Sequence, residues 1–199
     1  MSGGPARLEF RVWGDAADLE TSLADRGEPT GSTTRRDRYV VTRAEGLNVK
    51  MREGRIETKR LIGTEDGFER WTPDIEEAFP VDRDVLERVF DETGVDLDAL
   101  PPAGATVDEL IRSLEEAGVP TVVAAKRRHA FDLPDDIAGE MTDVVLGEVA
   151  TRTAVIEGPE LDPLVELRTE LGLDELPNVS MAEAAARVAD GDTGWLDAE

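Results

Sequence analysis

The run LNVKMREGRIETKRLI, residues 47–62, constrains this chain more than any other stretch. It holds two alternating segments joined by Glu53-Gly54, a two-residue connection of the kind that closes a β-hairpin. That turn predicts a register in which Arg52 faces Arg55, Met51 faces Ile56, Lys50 faces Glu57, Val49 faces Thr58 and Asn48 faces Lys59. Successive side chains leave a strand on opposite sides. One face of the hairpin then carries Asn48, Lys50, Arg52, Arg55, Glu57 and Lys59, and the other carries Leu47, Val49, Met51 and Ile56. The register separates apolar from basic residues cleanly.

Further alternating runs predict strands at 6–13, 33–43, 67–73, 120–134, 137–147 and 149–158, the last three as a meander. In the first, Leu8, Phe10 and Val12 share one face, and Arg7, Glu9, Arg11 and Trp13 share the other. Pro73 is expected to close the third. Helical spacing predicts helices over 14–27 (Asp15 as N-cap, Gly27 as stop), 82–95, 106–119, 162–173 (Pro163 at its first position) and 178–190 (Ser180 as cap). Thr106 and Glu109 have capping-box spacing. Residues 30–38, TGSTTRRDR, read equally as a basic lid and as a solvated loop. The expectation is an α+β domain over 1–199, an antiparallel barrel of about eight strands with flanking helices. A helical insertion is placed at 82–119 and a tail at 191–199.

Composition narrows the chemistry. The formal net charge is -23, with 45 acidic residues against 22 basic ones, and only Lys50, Lys59 and Lys126 are lysines. An acid-rich, Lys-poor surface suits a salt-accumulating organism, because molar salt cuts the Debye length to about 3 Å; an ordinary acidic protein with an unusual partner is the rival account. The bias is uneven: residues 1–60 hold 12 basic and 10 acidic residues, whereas residues 61–199 hold 10 and 35. The absence of cysteine, with a single histidine, excludes disulfides and a His/Cys zinc site. No apolar run approaches a membrane span and the N-terminus has no signal-peptide pattern, so the expectation is a soluble, cytoplasmic protein.

All three lysines fall in strand runs beside arginines: VKMR, ETKR and AKRR. Such a face is either the solvated side of half-buried strands or a surface that meets an anion. The second reading fits better, because the solvent-facing helix positions of this chain are overwhelmingly acidic. Duplex nucleic acid is a poor ligand for it, since polyelectrolyte contacts weaken steeply with salt. A small polyanion enclosed by converging arginines and lysines keeps more of its attraction.

The order of these segments resembles the CYTH-type triphosphate-tunnel family of class IV adenylate cyclases, thiamine triphosphatases and inorganic triphosphatases, over about residues 6–190. RLEFRVW resembles the family's ExExK strand, VKMREGRIETKR its LRxR strand and the next strand ending in Lys, VVAAKRRHAF its KxR strand, and NVSMAEA the start of its terminal helix. The resemblance implies an eight-stranded tunnel in which Lys50, Arg52, Lys59, Lys126 and Arg128 hold phosphates, joined by Arg7, Arg11, Arg55 and Glu57 from the same polar faces. It implies Mg²⁺ or Mn²⁺ on Glu9, with Glu140 and Glu157 from the closing strands, and Glu9 as the catalytic residue. The ligand would be a small phosphorylated anion, bound or hydrolysed. The motif departs from the family in that Arg7 stands at its first glutamate and Arg11 at its lysine. Arg7 sets a positive charge beside the metal position, which argues against two-metal chemistry.

Other residues carry blander expectations. His129 alternates away from Arg128 and reads as a packing or surface residue; Trp13 and Trp71 read as core or rim, and Trp195 as a tail that docks or stays free. No P-loop, dinucleotide-binding or G-x-S-x-G pattern occurs.

Overall fold

In a computed structural model, which describes residues 5–14, 17–42 and 44–197, eight antiparallel strands close into a barrel. The elements run β1 (Arg7–Trp13), α1 (Ala17–Arg26), β2 (Glu28–Val40), β3 (Leu47–Arg52), β4 (Arg55–Glu65), β5 (Phe68–Ala78), α2 (Arg83–Phe90) and α3 (Val107–Glu116). They continue with β6 (Thr121–Leu133), β7 (Ile137–Leu146), β8 (Val149–Gly158), α4 (Leu161–Glu170) and α5 (Met181–Ala189). Around the barrel the order is β1-β5-β4-β3-β2-β6-β7-β8, with β8 returning to β1. Closure gives every strand a neighbour on both sides, over part of its length at least.

The β3–β4 hairpin has the register its sequence predicts, from Asn48 opposite Lys59 to Arg52 opposite Arg55. Both turn residues are left-handed, with φ of 50° at Glu53 and 73° at Gly54, the twist that two-residue hairpins need. Asp15, expected as the cap of α1, lies outside the described residues. The Thr106–Glu109 capping box is present, and Ser180 Oγ accepts from Glu183 N at the start of α5. Helix α4 begins at Leu161, which puts Pro163 third rather than first; the first turn tolerates it because its N–H groups have no intrahelical partner.

Two strands run further than their sequences suggest. Residues 30–38 are neither lid nor loop, because β2 pairs with β6 from Glu28 opposite Asp132 to Val40 opposite Thr121. Pro29 and Gly31 give that stretch a loop-like composition, yet the ladder passes them through an irregularity between the two. Strand β5 likewise continues past Pro73. Pro73 sits at a bulge where the β4–β5 register shifts, so its missing N–H costs no ladder bond. Beside it the Thr58 hydroxyl accepts from Ile75 N at 2.9 Å.

Apolar residues lie outside this barrel and polar ones inside. Leu8, Phe10 and Val12 of β1 join Met141 and Ile156 under α1 and α4, through Leu23, Leu164 and Leu167. Gly139 permits that approach: a Cβ there would come within 2.7 Å of Leu133 Cδ1 and 3.0 Å of Leu23 Cδ2. On the far side Val49, Met51 and Ile56 are covered by Leu86 and Phe90 of α2 and Leu110 and Leu114 of α3. Helix α5 is the exception. Its Met181, Ala184 and Ala185 pack on Tyr39, Val122, Ala124 and Val144, which share strand parity with the inward-pointing residues. The helix therefore plugs one end of the barrel. Trp195 docks there too, edge-on to Trp13 at 5.5 Å, and Trp13 Nε1 donates to Val179 O.

Candidate functional site

Strand alternation turns one side chain in two inward, and here those side chains are charged. A cavity of about 170 Å³ lies inside the barrel. Five strands send cations to it: Arg11 from β1, Arg35 from β2, Lys50 from β3, Lys59 from β4, and Lys126 with Arg128 from β6. Glu9, Glu140 and Glu157 reach the same space from β1, β7 and β8. The α5 end contributes Ser180 and Met181.

Several of these charges are deeply buried. Lys126, Lys50 and Arg11 are 6%, 9% and 8% exposed, and Asp37 is fully buried. Lys126 Nζ donates to Asp37 Oδ2 and to Tyr39 Oη, both at 2.7 Å. Burial pulls the Lys126 ammonium down to about 7, with Arg11 and Arg35 adding to the fall and Asp37 opposing it. Burial acts to raise Asp37, but Lys126, Arg35 and Lys50 outweigh it and hold the carboxyl below its usual range. Burial and the neighbouring Arg52 and Lys59 lower Lys50, against the pull of Glu57.

The surplus of positive charge lies on the β2–β3–β4–β6 wall. Lys50 and Arg52 share one carboxylate, Glu57, at 3.1 Å and 2.7 Å. Arg35 and Lys126 share Asp37, at 3.8 Å and 2.7 Å. Lys59 forms no ion pair among the described residues. The Nε–H groups of Arg35 and Arg128 are buried without an acceptor there, and so is Asn48 Oδ1 without a donor.

The carboxylates are differently placed. Glu9 stands opposite Glu157 in the β1–β8 register. Burial would raise Glu9, but Arg11, Lys59 and Lys50 together keep it below the usual carboxylate range. Each of the three glutamates that line the cavity has an arginine of its own: Arg11 Nε is 3.1 Å from Glu9 Oε1, Arg7 Nε is 3.6 Å from Glu157 Oε1, and Arg128 pairs with Glu140. Glu140 Oε1 also accepts from Thr142 Oγ1 at 2.6 Å. Among the described residues no three His, Cys, Asp or Glu side chains are grouped to hold a metal ion. The donors that Mg²⁺ or Mn²⁺ would need are therefore engaged elsewhere, and the set does not fit such a cation.

No protein-family model matches the chain, and no curated protein matches it. Solved structures do. A conserved hypothetical protein from Pyrococcus furiosus superposes with a TM-score of 0.54 at 16% identity, over 89% of this chain and 98% of that one. The putative adenylyl cyclase of Hippeastrum, described as having a dominant triphosphatase activity, gives 0.53 at 15% over 93% and 96%. A putative adenylate cyclase from Bacillus halodurans gives 0.50 at 11% over 92% and 98%. The chain has a CYTH-like fold. At such identities the likeness establishes the fold alone.

On this CYTH-like barrel, Glu9, Arg11, Lys50, Lys59, Lys126, Arg128, Glu140 and Glu157 line the cavity. Four residues expected with them do not. Arg7, at the edge of β1, is turned to Asp136 and Glu157. Arg52 and Glu57 pair with one another beside Lys50, near the hairpin end. Arg55, next to the turn, pairs with Glu76 and is 42% exposed. Alternation gave all four the right parity, but position along a short strand decides whether an inward residue reaches the centre. Arg35, Asp37, Tyr39 and Trp71 belong to the site and were not anticipated. Arg35 and Asp37 lie in the run 33–43 whose sequence predicts a strand, and the strict alternation Arg35-Asp37-Tyr39 is the signal that turns them inward. His129 lies outside, with Nδ1 3.6 Å from Glu20 Oε1.

Proposed function

We propose that the cavity binds a small phosphorylated anion. The observation that carries this reading is the convergence of six cationic side chains from five strands on one enclosed space, with Lys59 outside any ion pair among the described residues. An exposed charge pair is worth little, but a phosphate taken into the barrel interior meets fixed cations whose attraction is far less screened. Arg11, Arg35 and Arg128 supply planar donors, and Lys50, Lys59 and Lys126 supply point charges. Asp37 and Glu57 orient the buried cations and oppose the loss of charge that burial favours. Helix α5, through its N-terminal end at Ser180, closes the site at the plugged end.

A second reading adds hydrolysis of the bound anion, with Glu9 as the catalytic carboxylate. What favours it is the shared fold with the Hippeastrum protein and its triphosphatase activity. The arginine-paired carboxylates favour binding without turnover. The two separate in one experiment at molar KCl: phosphate release from tripolyphosphate and ATP, followed beside ligand-induced thermal shift. A shift without release supports a binding domain. Release that Glu9→Ala abolishes supports the hydrolase, and no shift with any phosphate ligand refutes both.

A further inference from the structure

The inward carboxylates and the arginines that hold them bear on whether the cavity needs a metal. Arg7, Glu9 and Arg11 follow one another at alternate positions of β1, so the glutamate is bracketed on its own face by two guanidinium-bearing residues. Arg11 contacts Glu9, and Arg7 contacts Glu157, the residue directly across from Glu9. On β7, Glu140 is taken by Arg128 and by the Thr142 hydroxyl. Guanidinium groups stay protonated at any ordinary pH, so this charge cannot be relieved by titration. A hard divalent cation wants about six oxygen ligands. To enter here it would have to strip each glutamate of its arginine and then sit beside the displaced positive charges. Removing one partner from a buried pair is itself costly.

We infer that the cavity takes its phosphorylated anion without a divalent cation, with Arg11 and Arg128 providing, next to Glu9 and Glu140, the positive charge that a metal would bring. The inference rests on the anion-binding reading above. Arg128 is suited to it, since its Nε–H is buried with no acceptor among the described residues. Mg²⁺ in solution lowers the charge on a polyphosphate, so it should compete with the protein for the ligand rather than assist it.

The test uses the full chain at molar KCl with tripolyphosphate as probe. Calorimetric titration is run in EDTA and again with equimolar Mg²⁺ or Mn²⁺, and Mn²⁺ binding to the protein alone is followed by electron paramagnetic resonance. The expected result is binding in EDTA at least as tight as with metal, to within about twofold, and a free-ion Mn²⁺ spectrum. Binding seen only when metal is present, or a bound Mn²⁺ signal, overturns the inference and leaves the anion site standing. Absence of binding under every condition overturns the anion site, and this inference with it.

Discussion

Lys126 and Asp37, 89 residues apart in sequence, meet inside the barrel with Nζ 2.7 Å from Oδ2. The pair exists because β2 and β6 run alongside one another with Asp37 opposite Ala124 and Arg35 opposite Lys126, which brings the two side chains together on the same inner wall. Tyr39 completes the arrangement, accepting from Lys126 while burial and the Asp37 charge push its phenol up.

Anion binding should be coupled to proton uptake. Lys126 sits near its midpoint at neutral pH in the free protein, pulled down to about 7 by burial. A phosphate beside it favours the charged form, so the value rises in the complex and a proton is taken up. Affinity should be greatest below pH 7 and should fall as pH rises above it, by at most about tenfold per unit. Titrations in buffers of different ionisation enthalpy measure the uptake directly, and it should vanish in Lys126→Met.

Asp37→Ala should destabilise the fold. Asp37 is fully buried, and its loss leaves Lys126 and Arg35 without their carboxylate. Removing one member of a buried pair costs about 3–5 kcal/mol. Urea unfolding at molar KCl gives the number. A loss below about 1 kcal/mol, the value of an exposed pair, would contradict the burial argument.

Acid should weaken the protein through the same residues. Glu9, Asp37 and Glu57 are each held below their unfolded values by surrounding cations, despite the opposing effect of burial. A carboxyl depressed in the folded state contributes stability that is present above its unfolded pKa, near 4, and lost as pH falls through its folded value. Unfolding free energy measured from pH 7 to pH 3 should therefore decline below about pH 5. Glu57→Gln should flatten the decline, because the lost ionisation no longer contributes.

Much of this was legible in the sequence, and the rest was hidden for identifiable reasons. The β3–β4 register follows from Glu53-Gly54 and strict alternation, and both survive in the barrel. The basic inner face was readable because a chain of net charge -23 keeps its lysines in strands. The length of β2 was not, since Pro29, Gly31 and a run of small polar residues look like a loop until β6 is there to pair with them. Nor does alternation tell centre from rim: Arg52 and Arg55 have inward parity but sit beside the turn, where Glu57 and Glu76 take them. The plugging of one end by α5 depends on packing between distant segments, including Asn178, whose amide bridges Glu9 O and Gly67 O.

Calorimetric titration of tripolyphosphate into the wild-type chain and Lys59→Met at molar KCl tests the central claim most directly. Lys59 faces the cavity with no ion pair among the described residues, so its charge is available to a ligand. The wild type should bind one anion per chain, and the variant should bind at least about tenfold more weakly, the worth of one charged hydrogen bond. Equal affinity in the two proteins, or no heat of binding in the wild type, would contradict the account.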